Sequence, residues 1–477
     1  MKRQPDWPPL LLLSAILFGG LVRIMPAIMT RFPINDGGMF YTMAGELSLN
    51  GYALPALTSY NGLDLPFAYP PLGIYLASIL SDFGRIPALT VFLWLPALIS
   101  ILTIPVFYLF ARAVLLDDLH AALATLFFAL TPGRYDWHVM GGGVTRATGM
   151  VFLLLASYYV FRLFKEEKLK LIPLAILFCS LAVLSHPEVG LQTAGLCAVL
   201  WLFLGKTRRG VLGAILVVPG VILLTAPWWA TVISHNGLTP FLSALQTGGH
   251  ATVEWLLTLT GLFNTGEFIP ILLLLRVAGF IYAILKKRWL LISLVIIPVL
   301  VDPRSAASIA YLALSMLAAF GILDAIPALL KLIKGIRVNI ILKQRVGVAI
   351  LFAITLILFV ECGLSNFRLI NTTLTTDERE TMAWLQENLP PGEDFLIITG
   401  HTYSMSDPVQ EWFPALSGQH SQTTLQGLEW TLGAGFEARL NDLAGLQACT
   451  SLNCLESFEE RTGLTYSYLW LNRLSHR

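Results

Sequence analysis

Long apolar runs separated by short polar breaks rich in Pro and Gly fill the chain up to residue 362, and then they stop. Eleven runs predict membrane-spanning helices over 9–29, 87–112, 118–133, 147–163, 170–184, 189–205, 211–227, 268–285, 289–301, 305–330 and 346–362. A helix rising about 1.5 Å per residue needs about 20 residues to cross the hydrocarbon layer. The runs 118–133 and 289–301 are short for that purpose. The stretch 69–80 is shorter still and opens with Pro70-Pro71, which suits a helix start. It predicts a helix lying at the outer interface or dipping into it.

Basic residues sort the loops into two sets. One carries Lys2 and Arg3, then Arg112, the group Arg162 to Lys170, Lys206 to Arg209, Lys286 to Arg288, and Lys331, Lys334, Arg337, Lys343 and Arg345. The opposite set has only Arg31, Arg85, Arg134, Arg146 and Arg304. Lys and Arg accumulate in cytoplasmic loops, so the bias predicts a cytoplasmic N-terminus. Alternation through all eleven spans then requires that 69–80 does not cross. The first run has the basic start of a signal peptide, but no small-residue cleavage pattern follows and Arg23 interrupts it. It reads as an uncleaved anchor.

Residues 363–477 regain charge. Thr376-Asp377-Glu378 starts a helix that runs to about Asn388, and Pro390-Pro391-Gly392 ends it. A buried strand is predicted at 395–399, a helix near 434–447 and a strand near 464–471. The fold class is therefore an α-helical polytopic membrane protein of about eleven transmembrane helices. Its domains are 1–362, with a long first outer loop at 30–68, and a small extracytoplasmic α/β domain at 363–477. An oxidising exterior permits a Cys449–Cys454 disulfide. Asn371-Thr372-Thr373 fits the glycosylation pattern, which carries no meaning in a bacterium.

Composition agrees and excludes other classes. The 477 residues are 56% hydrophobic and 13% charged, against about 45–50% and about 25% in soluble proteins. A net charge of +1 excludes a globally basic nucleic-acid binder. Five Cys without a C-x-x-C make neither a disulfide scaffold nor a zinc site.

Candidate chemistry lies mostly at the outer helix ends, where ionisable groups are informative because they are costly beside a membrane. Asp36 follows the first span and precedes two glycines and an amphipathic helix at about 39–49. It either caps that helix or serves a ligand. The second outer loop carries Arg134, Asp136-Trp137-His138, Gly141-Gly142-Gly143 and Arg146. Asp136 and His138 can ligate a divalent ion, or the loop is an ordinary tight turn. Its glycines suit a backbone that hugs a ligand, and Arg146 can pair with phosphate. His186-Pro187-Glu188, Asp302-Pro303-Arg304 and the segment 228–266 with Trp228, Trp229, His235, His250 and Glu254 are further outer-end groups. The tryptophans read as interface anchors and His186 as a helix-end residue. Arg276, near the middle of 268–285, needs an anionic partner or a wet cavity. A lipid phosphate and an intramembrane carboxylate are equally open.

Asp36, Phe40 and Ala44 at four-residue spacing, Asn50-Gly51, and then Tyr69-Pro70-Pro71-Leu72-Gly73 resemble the GT-C membrane glycosyltransferases. That superfamily includes aminoarabinose transferases, protein O-mannosyltransferases and oligosaccharyltransferases. Asp136, Asp302-Pro303-Arg304 and the helix Ala383-Trp384-Leu385 to Asn388 extend the resemblance over nearly the whole chain. It implies a sugar donor on a polyprenyl phosphate or pyrophosphate, an extracytoplasmic acceptor (lipid, glycan or protein) and no nucleic acid, in a bacterial or archaeal plasma membrane. Asp36 would be the general base or orient the acceptor, with inversion at the anomeric carbon. Arg304 and Arg276, then Arg146, would receive the leaving phosphate, with Tyr69 and His186 beside them. Asp136 would fill the second acidic position, and Asp36, Asp136 and His138 would be the ligands of an Mg²⁺ or Mn²⁺ ion. Two departures stand out. Some relatives place Lys before Pro-Pro-Leu where this chain has Tyr69, and the D-x-D of metal-dependent members is here Asp136-Trp137-His138. A transporter and a silent membrane subunit are the alternatives. A transporter would be expected to show internal repeats, and none is present.

Overall fold

The computed structural model describes residues 7–247, 252–263, 266–334 and 345–472. Lys2, Arg3, Arg337, Lys343 and His250 lie outside these residues, as do the side chains of Glu254, Lys334 and Arg345. Seven helices are long and apolar enough to cross a membrane: Trp7–Thr30, Ala88–Leu115, Gly143–Glu166, Pro187–Leu204, Arg208–Asn236, Pro303–Leu332 and Gly347–Ile370. Four shorter apolar helices, Asp118–Ala129, Leu169–Val183, Ile271–Leu285 and Trp289–Val301, stand where the other four spans are expected.

Asp118–Ala129 has only 12 residues, about 18 Å of helix. Its shortness is tolerated because it is walled in: every residue from Ala121 through Ala129 is buried, against Trp7–Thr30, Ala88–Leu115 and Pro303–Phe320. A helix enclosed by others need not match the lipid thickness. Asp117 caps it by accepting the His120 amide at 2.8 Å. Phe128 at its far end stacks on Phe107 and Tyr311, with ring centroids 4.4 and 4.9 Å apart, and so ties three helices together.

The predicted outer-interface helices are Gly38–Leu49 and Leu72–Asp82. Met43 and Leu47 of the first pack with Ile74 and Ala77 of the second. The Ser78 hydroxyl donates to the Ala44 carbonyl at 2.8 Å. One expectation is corrected. The run 211–227 continues as helix to Asn236, so Trp228, Trp229 and His235 lie on a helix rather than in an outer loop. The uninterrupted apolar and β-branched sequence through Val232 carries the helix past Pro227.

The C-terminal domain forms around a three-stranded parallel sheet. Asp394–Ile398 is central, flanked by His420–Ser421 and Tyr468–Leu471. Alternation along the central strand sends Phe395 and Ile397 to a core with Met382, Trp412 and Phe413. Leu396 points to the opposite core with Leu425, Phe436 and Leu443. The helix Thr376–Asn388 starts in a capping box between Thr375 and Glu378. The helix Phe436–Gln447 lies where a helix is expected, whereas Pro408–Ser417 and Leu452–Thr462 were not foreseen. Cys449 and Cys454 are joined as a disulfide.

This domain is sewn to the membrane part. Ile34 and Thr373 form an antiparallel bridge. Asn61 and Ser421 exchange two hydrogen bonds, at 2.9 and 2.6 Å. Ser243 donates to the Glu429 carbonyl at 2.9 Å and accepts from the Gly433 amide at 2.6 Å.

Candidate functional site

Asp36 sits in the turn between Trp7–Thr30 and Gly38–Leu49. The turn needs left-handed backbone at Asn35 (φ 54°) and at Gly37 (φ 126°), the second a conformation that a side chain resists. The Asn35 amide donates to Thr372 at 2.9 Å, and the Gly141 amide to Ile34 at 3.0 Å. The Trp412 indole donates to the Asn35 carbonyl at 2.9 Å. Three separate parts of the chain thus fix the Asp36 backbone.

The carboxylate does not cap the helix that follows. Gly37 is the N-cap and offers no side chain. The Gly37 and Met39 amides instead donate to Oε1 of Glu411, at 3.1 and 3.2 Å. Asp36 is 7% exposed. Its Oδ1 accepts the Gly142 amide at 2.9 Å, and its Oδ2 meets Arg146 Nη1 at 2.5 Å. The glycine-rich turn therefore hugs Asp36 itself: a Cβ on Gly142 would stand 2.5 Å from Asp36 Oδ2, and one on Gly141 would strike the Asp36 carbonyl. Arg146 projects from the first turn of Gly143–Glu166, with its guanidinium 4.8 Å from the centre of the Trp137 ring.

Two helices that begin with proline bring the next pair together. Asp302 caps Pro303–Phe320 by accepting the Arg304 and Ser305 amides, each at 3.2 Å. Pro187 occupies the same first position in Pro187–Leu204. Gln192 joins the two starts by donating to the Pro298 carbonyl at 3.0 Å and to Ser305 Oγ at 2.9 Å. Arg304 Nε then meets Glu188 Oε1 at 2.9 Å, with 51% of the arginine side chain exposed. Tyr69 lies edge-on to Phe40, His186 and Trp430, with centroids 4.6, 5.9 and 6.1 Å apart, and its hydroxyl is 3.4 Å from Thr145 Oγ1. Arg146 lies within electrostatic reach of Tyr69, His186, Glu188 and Arg304, and Arg304 within reach of His186 and Glu188. Glu429 of the C-terminal domain joins them through Arg304 and Arg146.

Titration follows from burial and these charges. His186 is driven well below the usual imidazole range by burial and then by the Arg146 and Arg304 charges, so it is neutral. Its Nδ1 is buried without a partner among the described residues. Burial, followed by the nearby Asp36 charge, raises Glu411 to about 8 despite the two amides that favour its ionised form. Burial raises Glu429 as well.

The D-x-H pair departs from expectation. Burial raises Asp136 to about 6, and its charged neighbours are Arg368 and Arg134. Its Oδ1 has no hydrogen-bond partner among the described residues. His138 is buried and pushed down to about 3, by burial and then by the Arg23 and Arg146 charges. Among the described residues no three His, Cys, Asp or Glu side chains gather as a ligand set. Both Asp36 oxygens are engaged by Gly142 and Arg146. Asp36, Asp136 and His138 thus do not gather as one ligand set among the described residues, and Asp36 is paired with Arg146.

Arg276 has an acidic neighbour. It is fully buried, 3.6 Å from Glu267 Oε1, and it donates to Thr131 Oγ1 at 3.0 Å. These contacts match the carboxylate reading of Arg276. Glu411, Glu429 and Trp430 carry no sequence signal of their own, since only the docking of a distant domain brings them here.

No family model matches the chain, and no curated protein matches it in sequence. Solved structures do match in fold. The apo oligosaccharyltransferase of Archaeoglobus fulgidus aligns at a TM-score of 0.53 and 16% identity, over 88% of this chain and 64% of that one. This chain thus spans less than two thirds of that protein. A structure of the same enzyme in complex with Zn and sulfate aligns at 0.53 and 14%, over 98% and 74%. ArnT from Cupriavidus metallidurans bound to undecaprenyl phosphate aligns at 0.51 and 16%, over 91% and 88%. These likenesses show the fold alone: the chain shares the fold of these membrane enzymes.

Proposed function

We propose that this chain, a membrane protein with the GT-C fold, is a glycosyltransferase that moves a sugar from a polyprenyl-phosphate carrier to an acceptor hydroxyl or amine. The observation that carries the reading is Asp36, held between Gly142 and Arg146 where the C-terminal domain meets the helix ends. ArnT, the fold neighbour bound to undecaprenyl phosphate, supports the class of carrier.

The acceptor oxygen or nitrogen attacks the anomeric carbon from the face opposite the phosphate. The bond to the phosphate oxygen breaks, and the phosphate leaves with the electron pair, so the configuration inverts. The acceptor's proton passes to Asp36, whose position is fixed before the substrate arrives. Negative charge grows on the leaving phosphate and needs preorganised cations. Arg304 is the accessible one: it exchanges its Glu188 contact for the phosphate, a pairing for which a guanidinium is well shaped. Arg146 draws toward the same charge and loosens its grip on Asp36 as the proton arrives. The Tyr69 hydroxyl and the neutral His186 Nδ1, which has no partner among the described residues, supply further hydrogen bonds. Asp136 and His138 act through the loop that seats Trp137 under Arg146. The basic loop bias supports a cytoplasmic N-terminus, with the site and the C-terminal domain on the far side.

The test uses purified protein in nanodiscs with a panel of undecaprenyl-phosphate-linked sugars and envelope lipid extract as acceptor. Asp36→Asn should abolish glycosidic product while leaving the melting temperature within a few degrees. Wild-type turnover in that variant removes Asp36 from the reaction. Donor movement across the membrane without a new glycosidic bond replaces the enzyme with a transporter.

A further inference from the structure

We propose that the C-terminal domain arms the reactive carboxylate: Glu411 takes over the capping of the helix Gly38–Leu49, and Asp36 is thereby kept on Arg146 and Gly142. The inference rests on the reading of Asp36 as the reacting group and makes Glu411 a positioning residue for it.

The first amides of a helix need acceptors, and an Asp beside an uncapped start is the usual local donor of one. Here the local candidate is turned away. Gly37 has no side chain to give, and the Gly37 and Met39 amides donate to a carboxyl that lies 374 residues further along the chain from Gly37. Glu411 is 3% exposed and comes from the buried face of Pro408–Ser417. Its placement is overdetermined. The Tyr60 hydroxyl donates to the Glu411 carbonyl at 2.6 Å, and the neighbouring Trp412 indole donates to Asn35. Gly38 leaves room for the Glu411 backbone, which any Cβ at that position would strike.

A competition follows. The two amides are buried, and if Glu411 is withdrawn the Asp36 carboxylate is the acidic group nearest to them in the chain. Asp36 can turn toward them or stay with Arg146 and Gly142, and a single carboxyl group whose two oxygens are aimed at Gly142 and Arg146 does not point both ways. With Glu411 in place the first option is closed. Undocking of the domain therefore diverts the acid into the helix start and silences the site without any change in the membrane helices.

The experiment compares Glu411→Gln, whose amide oxygen still accepts both amides, with Glu411→Met, which matches its length but accepts neither. Hydrogen exchange of the segment 36–42 is followed in the full chain in nanodiscs. Binding of undecaprenyl phosphate alone and turnover of the donor panel are measured on the same samples. We expect Glu411→Met to speed exchange at Gly37 and Met39 at least tenfold and to cut turnover at least tenfold, with undecaprenyl phosphate affinity changed less than twofold. Glu411→Gln should restore exchange and turnover to near wild type. Tyr60→Phe, which removes one tether of Glu411, should shift exchange in the same direction as Glu411→Met and serves if that variant does not fold. Unchanged exchange in both variants overturns the proposal, and so does a Gln variant as damaged as the Met variant, which would mark simple packing. Wild-type turnover in Asp36→Asn removes the premise and the proposal with it. Turnover lost in Asp36→Asn but kept in Glu411→Met overturns the arming alone.

Discussion

Gly142→Ala separates the fit of the site from the stability of the fold. Gly142 has helical backbone (φ −66°, ψ −9°), so alanine meets no conformational objection there. The added Cβ would stand 2.5 Å from Asp36 Oδ2 and 2.8 Å from Arg146 Nη1. Ordinary contact therefore requires a displacement of about 1 Å in a pair now 2.5 Å apart. Overpacking of this kind costs about 1–3 kcal/mol of stability. The effect on chemistry is larger, because a misplacement of about 1 Å lowers a rate by on the order of 10²-fold, which equals about 2.7 kcal/mol of barrier. Turnover of the donor panel in nanodiscs should fall by about two orders of magnitude, while undecaprenyl phosphate binding, which rests mainly on Arg304, changes little. Gly45→Ala is the control: Gly45 lies inside Gly38–Leu49 with nothing near its Cβ direction, so it should leave turnover intact and stabilise the helix by up to about 1 kcal/mol. Wild-type turnover in Gly142→Ala would refute the claim that the Asp36–Arg146 spacing sets the rate.

Other expectations concern charge. Glu411 is raised from 4.5 to about 8 in the folded protein, so between those values the folded state holds a proton that the unfolded state has released. Its contribution is complete below about pH 4.5 and falls by up to about 1.4 kcal/mol per pH unit until about pH 8. Melting temperature should decline with rising pH across that window in the wild type and be flatter in Glu411→Gln; an unchanged slope in the variant refutes the assignment. His138 has the opposite sign. It is lowered from 6.5 to about 3, so stability is lost as pH falls below about 6.5, and His138→Gln should reduce the acid-side loss seen in thermal melts. Transfer should survive EDTA, since Asp36 is paired with Arg146; full inhibition reversed by Mg²⁺ would contradict this. Arg304→Ala should weaken undecaprenyl phosphate binding at least tenfold without unfolding the chain. Arg276→Ala, at a fully buried pair, should destabilise it by about 3–5 kcal/mol in chemical denaturation.

The helical frame was legible because bilayer crossing imposes a length and an apolar composition that single runs display. Thr376-Asp377-Glu378 likewise announced a helix start, while the capping residue itself is Thr375, one position earlier. The site was only half legible. Asp36, Arg146 and Arg304 could be singled out because charge at a helix end is costly, but their partners could not. That Asp36 does not cap the helix follows from Glu411, which no local pattern connects to it. Arg276 shows the same limit, since its pairing with Glu267 depends on how the segment before the helix folds back. The Asp136-Trp137-His138 spacing did not reveal the surroundings of its two ends: on the short helix Asp136–Val139, Asp136 has Arg368 and Arg134 as charged neighbours and His138 is buried.

The bridge between Ile34 and Thr373 also has a consequence in time. The ribosome makes the opening turn early and the segments that clamp it late. At about 5–20 residues per second, tens of seconds pass before Thr373 and then Glu411 can reach it. During that interval the first helices are already in the lipid, yet Asp36 is not seated. On the proposed function, a nascent chain is thus idle until its last segments emerge, and a chain cut short before Thr373 stays idle.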